Sequence, residues 1–448
     1  MKIKRFSARG IHGYLDFDLE FDSEITFLTG INGSGKTTVV TGISALISPS
    51  LSFLAQVRYT RMEVEIEHEG MLLQIGATRT DESLILSSSV DAEALEIPIL
   101  RDEVPISSGR ISDQAADFYQ EQEARRAAHP VLRRLKALPT PMFLGLERRA
   151  SSFFPQADSP FVHAVRRRTH NVFSSSLSRS LVEAAAMAEQ SYTTTQARHR
   201  ELADRLKRQL ILSSLKYEPA DFSISTPPTL TPVNIASVRA TLKEIGISEK
   251  EIALYLDPFV EKLREISSFL PFPKDFKEIA MSRDKPRAVA YIEWITNKPQ
   301  FDRLTTILRD VDRHIAATQR ANKPLNNYLD IVNNFLGDSN KTLSFARTGN
   351  LVVSIRGGAT RPITALSSGE SQLVVILTHL AFNPAAQGAN VFIVDEPELS
   401  LHLRWQELFV PAIRALNPQL QAILATHSPA IIMDDLAHCV DLSVAVKR

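Results

Sequence analysis

The octapeptide GINGSGKT at residues 30–37 is where residue type and spacing first suggest chemistry. It fits G-x-x-x-x-G-K-[ST] and lies between a short apolar run, ITFL at 25–28, and a segment with helical character, which is the context this motif needs. Glycines let the backbone wrap a phosphate with successive N–H groups pointing inward, and the following helix adds its positive end. Asn32, Gly33, Ser34, Gly35 and Thr38 are therefore expected to line the phosphates. Lys36 would supply charge to the β- and γ-phosphates, and the Thr37 hydroxyl a ligand for Mg²⁺. Three further clusters extend this reading. In VFIVDE, 391–396, four apolar residues form a buried strand that ends in two carboxylates. Asp395 would hold Mg²⁺ and Glu396 would polarise the attacking water as general base. Alone, such a strand end is as often a simple cap. His427, in ATHSP at 425–429, follows another apolar strand and could reach a γ-phosphate, although a lone histidine is more often a structural cap. LSSGESQ, 366–372, places Ser367, Gly369 and Glu370 at a helix start ready to meet an anion. It comes more than 300 residues after the glycine loop. An isolated SSGE is an ordinary N-cap with its capping acid; four clusters in this order are far more specific than any one.

The elements that must position these residues read as an α/β class protein. Apolar and acidic residues alternate over 15–21, and alternation on both sides of Glu69-Gly70 within 62–75 predicts a hairpin. A buried strand is expected at 141–146. From 161 to 218 there is neither glycine nor proline, which predicts long helices, followed by a Pro/Ser/Thr-rich connector at 219–232. Gly246 reads as a helix C′ residue, and Ser248 with Glu251 as a capping box. Pro286, Pro299 and Pro324 are expected to cut the rest into helices of about 10–25 residues. Strand patterning returns at 341–344 and 351–355. Helix, strand, helix and strand then follow at 372–382, 391–394, 403–416 and 421–425. The expected organisation is an ATPase head assembled from an N-terminal lobe (1–150) and a C-terminal lobe (329–448), split by a helical insertion (151–328).

Bulk properties narrow the setting. The 448-residue chain is 44% hydrophobic and 23% charged, with 51 basic and 51 acidic residues, so net charge provides no general argument for nucleic-acid binding. Cys439 is the single cysteine and forms no internal disulfide, as expected in a reducing cytosol. No apolar run approaches the ~20 residues that span a bilayer, and the N-terminus lacks a signal-type apolar core. A cytoplasmic protein without a membrane partner is expected. Between 133 and 208, 14 Lys/Arg stand against 6 Asp/Glu. That stretch could bind nucleic acid, bind an acidic protein, or form solvated helix faces.

Taken together, GINGSGKT, LSSGESQ, VFIVDEPELSLH and ATHSP resemble the ATP-binding-cassette (ABC) ATPases of the RecF, SMC and OLD-like group. Within that group DEPELSLH, a tryptophan-bearing helix and ATHSP are similar to phage-defence ATPases of the PARIS and, next, Septu systems. The resemblance covers about residues 1–60 and 340–448. It implies ATP and Mg²⁺ as ligands, hydrolysis of ATP to ADP and phosphate, and His427 as a switch histidine. It also implies that Ser367 completes the ATP site of a second subunit, so the protein is at least a head-to-head homodimer. A separate effector nuclease of TOPRIM type encoded nearby, and a phage-encoded trigger, are the implied partners. Two positions depart from transporter cassettes: Ser368 replaces a glycine, and His402 an aspartate. The glutamine loop has two candidates, Gln56 and residues 145–149. The rival readings are a DNA-repair ATPase that clamps DNA and a nuclease of OLD type. Only 21 residues follow His427, too few for the nuclease domain of the latter. A transporter motor fits least, because the insertion splits the cassette.

Overall fold

The computed structural model describes residues 1–100, 113–144, 176–215, 235–269 and 284–445, except 237, 238, 241, 244, 245, 357, 359, 385 and 387–389. They form two compact units, one comprising Met1–Tyr192 with Leu325–Arg448 and the other Thr193–Pro324.

The first unit is built on a five-stranded, all-parallel sheet. Its order is β14 (Cys439–Asp441), β3 (Ile25–Thr29), β13 (Gln421–Ala425), β12 (Val391–Asp395), β8 (Met142–Leu144). Every residue of β12 and β13 is buried, which accounts for their uninterrupted apolar runs. Alternate side chains feed two cores. Val391, Ile393, Ile423 and Leu28 join one with the Lys36–Ile47 helix; Phe392, Val394, Leu424 and Phe27 join the other with the Ser368–Phe382 helix. These two helices therefore cover opposite faces of the sheet. The second of them is buried nearly all round, which its run of Leu, Val and Ile allows.

Over the first core lies a six-stranded antiparallel sheet, β2 (Leu15–Glu20), β1 (Lys2–Ile11), β4 (Arg61–His68), β5 (Met71–Arg79), β6 (Ser83–Ser88), β7 (Leu95–Pro98). The expected hairpin is present as β4 and β5, with Glu69 and Gly70 at φ 52° and 77°. Strands β6 and β7 were not anticipated by the alternation rule. A three-stranded sheet, β11 (Thr360–Pro362), β10 (Leu351–Ile355), β9 (Lys341–Phe345), joins the second core.

The Thr193–Pro324 unit is helical in its described residues. Its Glu249–Ser267 helix opens with the Ser248/Glu251 capping box, and Gly246 lies in the left-handed region at φ 95°. One expectation fails here. Pro299 and Pro324 do not end helices but sit inside one 52-residue helix, Lys285–Leu336, and Pro286 falls in its first turn, where a missing N–H is harmless. Each interior proline removes one backbone bond, at about 3 kcal/mol. Packing on either side exceeds that local cost. Tyr291 and Trp294 anchor one cluster, while Leu325, Tyr328, Val332 and Phe335 form an i, i+3, i+7 stripe in the second core. Of the long segment at 161–218, residues 176–215 form one helix; 161–175, 216–218 and the connector at 219–232 lie outside the described residues.

Gln421 fastens the two large sheets. It is fully buried; its Oε1 accepts the Ile3 N–H at 2.6 Å, and its Nε2 donates to the carbonyls of Ile3 and Asp22, each at 2.7 Å. Gln421→Leu keeps the volume but leaves these backbone groups buried and unpaired. The expected cost is about 2–3 kcal/mol, read as a lower midpoint of chemical denaturation with an unchanged slope.

Candidate nucleotide-binding site

The glycine loop leaves β3 and turns into the Lys36–Ile47 helix at one edge of the parallel sheet. Two glycines are required by close contact. At Gly30 (φ 140°) a Cβ would lie 2.8 Å from Ser34 Oγ, and at Gly35 (φ 92°) it would lie 2.7 Å from the Phe17 ring. Ile31, Asn32 and Gly33 are exposed at the crest, Thr37 is exposed, and Thr38 is half-buried. Lys36 folds back on the loop, its Nζ donating to the Gly30 carbonyl at 3.0 Å and the Ile31 carbonyl at 3.4 Å. Burial lowers its pKa, while Glu396, Asp395 and Glu398 pull it up. An ammonium so placed has its charge concentrated toward the loop's carbonyl cradle.

Asp395 ends β12. It is 4% exposed, and neither carboxylate oxygen has a hydrogen bond of normal geometry. Burial raises its pKa above the ordinary carboxylate value, against the opposing effect of the neighbouring Thr37 hydroxyl. A buried carboxylate with unsatisfied oxygens beside a hydroxyl fits a hard, oxygen-seeking cation such as Mg²⁺. Next in sequence, Glu396 adopts the left-handed conformation, φ 48° and ψ 58°, at a cost on the order of 1 kcal/mol, and its N–H is pinned to the Ala425 carbonyl at 2.8 Å.

His427 follows β13 and is exposed. The loop that carries it is tied to the segment after Glu396 by residues that motif reading did not single out. Glu398 accepts the Thr426 hydroxyl at 2.9 Å and the His427 N–H at 2.6 Å. Gln406 accepts the Ser428 hydroxyl at 2.6 Å and donates to the Leu401 carbonyl at 2.7 Å.

The signature residues lie elsewhere. Ser367 caps the Ser368–Phe382 helix in a full capping box with Glu370. Glu370 is 4% exposed and accepts bonds from Ser367 N–H (2.7 Å), Ser339 Oγ (2.7 Å) and Lys341 Nζ (2.6 Å). Burial opposes its ionisation, but these donors prevail and hold its pKa below the ordinary value. Ser367 and Ser368 are exposed, Gly369 is half-buried, and with Asp338, His402 and Trp405 the cap lines a cavity of about 300 Å³. The structure thus brings Lys36, Thr37, Asp395, Glu396 and His427 to one sheet edge, formed by the carboxyl ends of β3, β12 and β13. It puts Ser367, Gly369 and Glu370 on the helix that covers the opposite face from the loop helix.

Glu370 thus proves to be a buried strut, with Ser367 and Gly369 forming the accessible part of the cap. Of the two glutamine-loop candidates, Gln56 ends the short Leu51–Gln56 helix and is half-buried, while residues 145–149 lie outside the described residues. Within the basic stretch, Arg134, Lys136, Arg198 and Lys207 each have a carboxylate partner. Among the described residues no helix is long and apolar enough to cross a membrane.

Residues 5–104 match a family described as "AAA domain", and residues 249–434 one described as "AAA domain, putative AbiEii toxin, Type IV TA system". The chain is 30% identical over 111 residues to the "Retron Vc95 probable ATPase" of Vibrio cholerae serotype O1 biovar El Tor, covering 22% of this chain and 21% of that protein. It is 29% identical over 119 residues to the "Retron Ec83 probable ATPase" of Escherichia coli, covering 24% and 22%. It thus spans about a fifth of the length of these curated relatives. The Smc head domain from Pyrococcus furiosus, with an extended coiled coil and bound to the C-terminal domain of ScpA, aligns over 98% of this chain and 93% of that one. The TM-score is 0.38 and the identity 13%. The two AAA-domain matches thus take in, respectively, the glycine loop at 30–37 and the Ser367 cap, the end of β12 and His427.

The desolvated Asp395 carries a testable cost. A carboxyl whose pKa is raised on folding binds its proton more tightly in the folded chain, so its ionised form destabilises the fold at neutral pH. That penalty is relieved as pH falls through the folded value. Asp395→Asn should therefore raise the thermal midpoint of the nucleotide-free protein at pH 7.5 by about 2–4 °C, the shift worth about 1 kcal/mol. The gain should shrink as the pH approaches the ordinary carboxylate range, and the added stabilisation by Mg²⁺-ATP should be lost.

Proposed function

We propose that this chain is an ATP-hydrolysing subunit of a bacterial anti-phage defence system that controls a separate effector nuclease and acts as a head-to-head oligomer. The observation that carries the mechanism is the division of the site. The phosphate loop and acidic strand end share one sheet edge, whereas the exposed Ser367 cap belongs to the helix on the opposite sheet face. A cap so held is built to meet the nucleotide of another copy. The motif resemblance to PARIS and Septu ATPases, together with relatives described as retron probable ATPases, supports the defence setting.

In this reading the N–H groups of residues 32–38 hold the phosphates, and Lys36 moves from its loop carbonyls to the β- and γ-oxygens. Thr37 and Asp395 would hold Mg²⁺, which neutralises charge on the transferring phosphoryl group. Glu396 takes a proton from the attacking water, its backbone pinned to β13 so that its carboxylate is aimed rather than mobile. His427 meets the γ-phosphate. Two heads closing around two nucleotides would then change what the insertion presents to the effector, and a phage-encoded trigger would act on that state. Chemical damage to nucleic acid is assigned to the effector, so the chain alone is expected to cut neither DNA nor RNA with Mg²⁺ or Mn²⁺.

Two measurements test this. Lys36→Ala should lose ATP binding, while Glu396→Gln should bind ATP and hydrolyse it at least ~10²-fold more slowly; normal turnover by Glu396→Gln would remove its assignment as base. Mixing inactive Ser367→Arg subunits with inactive Lys36→Ala subunits should restore part of the activity through composite sites. Hydrolysis by a monomer, independent of protein concentration, would contradict the shared site.

A further inference from the structure

Between the Glu396 turn and the His427 loop runs a closed circuit of hydrogen bonds. The Thr426 hydroxyl donates to Glu398 Oε2 at 2.9 Å and accepts the Ser428 N–H at 3.0 Å. The Ser428 hydroxyl donates to Gln406 Oε1 at 2.6 Å. Gln406 Nε2 returns to the Leu401 carbonyl at 2.7 Å and the Glu398 carbonyl at 3.5 Å. Glu398 Oε1 closes a second arm on the His427 N–H at 2.6 Å. The circuit spans two loops that are 28 and 29 residues apart in sequence where Glu398 joins them.

We infer that Glu398 and Gln406 are positioning residues that hold the His427 loop against the Glu396 turn and so aim the switch histidine. The inference rests on the nucleotide reading above. Three features carry it. Glu398 lies two residues after Glu396, on the 3₁₀ turn Pro397–Ser400 whose start is the left-handed Glu396. Both Glu398 carboxylate oxygens accept from donors of the His427 loop, which suits a brace. Thr426 is fully buried, so its hydroxyl depends on this acceptor. Since a misplacement of about 1 Å far from the bond being broken can cost ~10²-fold in rate, a brace at this point is worth a measurable share of turnover without touching the nucleotide.

The test pairs kinetics with a measurement that needs no turnover. Glu398→Ala should lower kcat about 10–10²-fold while leaving the KM for ATP within about threefold of wild type, because the phosphate loop is untouched. In a His427→Ala background the same substitution should add less than about twofold, since a brace has no effect once the side chain it aims is gone. Glu398→Gln retains size and one acceptor, so it should recover part of the loss; it also replaces the alanine variant should that one fail to fold. In the nucleotide-free protein, amide hydrogen exchange across residues 425–430 should quicken in both Glu398 variants and in Gln406→Ala, but not in Glu396→Gln. Unchanged exchange in the Glu398 variants, or losses that multiply independently with His427→Ala, would overturn the inference. Failure of the wild-type chain to turn over ATP counts against the function proposed above, and the exchange measurement then decides this inference alone.

Discussion

The central constraint is a parallel sheet with no wet face. Strand β12 sends Val391 and Ile393 into one core and Phe392 and Val394 into the other, so no polar side chain fits along its length. The first polar residue comes at the last, still buried position of the strand, and that residue is Asp395. Confinement of the chemistry to one edge follows directly. So does the raised pKa of Asp395, because the same layers that bury the strand partly bury its last carboxylate. Four apolar side chains, each stabilising by about 1.5–3 kcal/mol when buried, readily offset one desolvated carboxyl group.

The signature cap is held by a different balance. A local capping box orients Ser367, but its acid is fixed by residues from outside the helix: Ser339 at the end of a 3₁₀ turn and Lys341 at the start of β9. Ser367, Ser368 and the half-buried Gly369 are left to face outward. Asp338, in the same turn as Ser339, also pairs with Arg404 and accepts from the Trp405 indole at 3.3 Å. One short turn therefore holds both the cap and the start of the helix that follows β12.

What could be read in advance depended on how far apart the interacting residues lie in the chain. Strand β12, the β4–β5 hairpin, the Leu403–Leu416 helix and both capping boxes are signalled within a few residues, and all were legible. The place of the glycine loop between β3 and its helix, and of Asp395 and Glu396 at the end of β12, was legible for the same reason. The brace formed by Glu398 and Gln406 was not, because its partners lie 22 to 29 residues away and carry no motif of their own. Nor was Gln421, whose backbone partner at Ile3 is 418 residues distant. The prolines misled for a related reason: local geometry argues for a break, and only contacts made by the folded molecule outweigh it.

Two helices run through the boundary positions of the units, and both do so at residues that disfavour a helix. The Ser176–Leu215 helix passes from one unit to the other at Thr193, the first of three consecutive threonines. The Lys285–Leu336 helix crosses at Pro324. β-Branched residues are poor helix formers, and a proline removes the donor that the carbonyl four residues earlier would have used. Each helix thus passes the boundary where its own propensity is weak, so its continuity there is set by packing to either side and not by local preference.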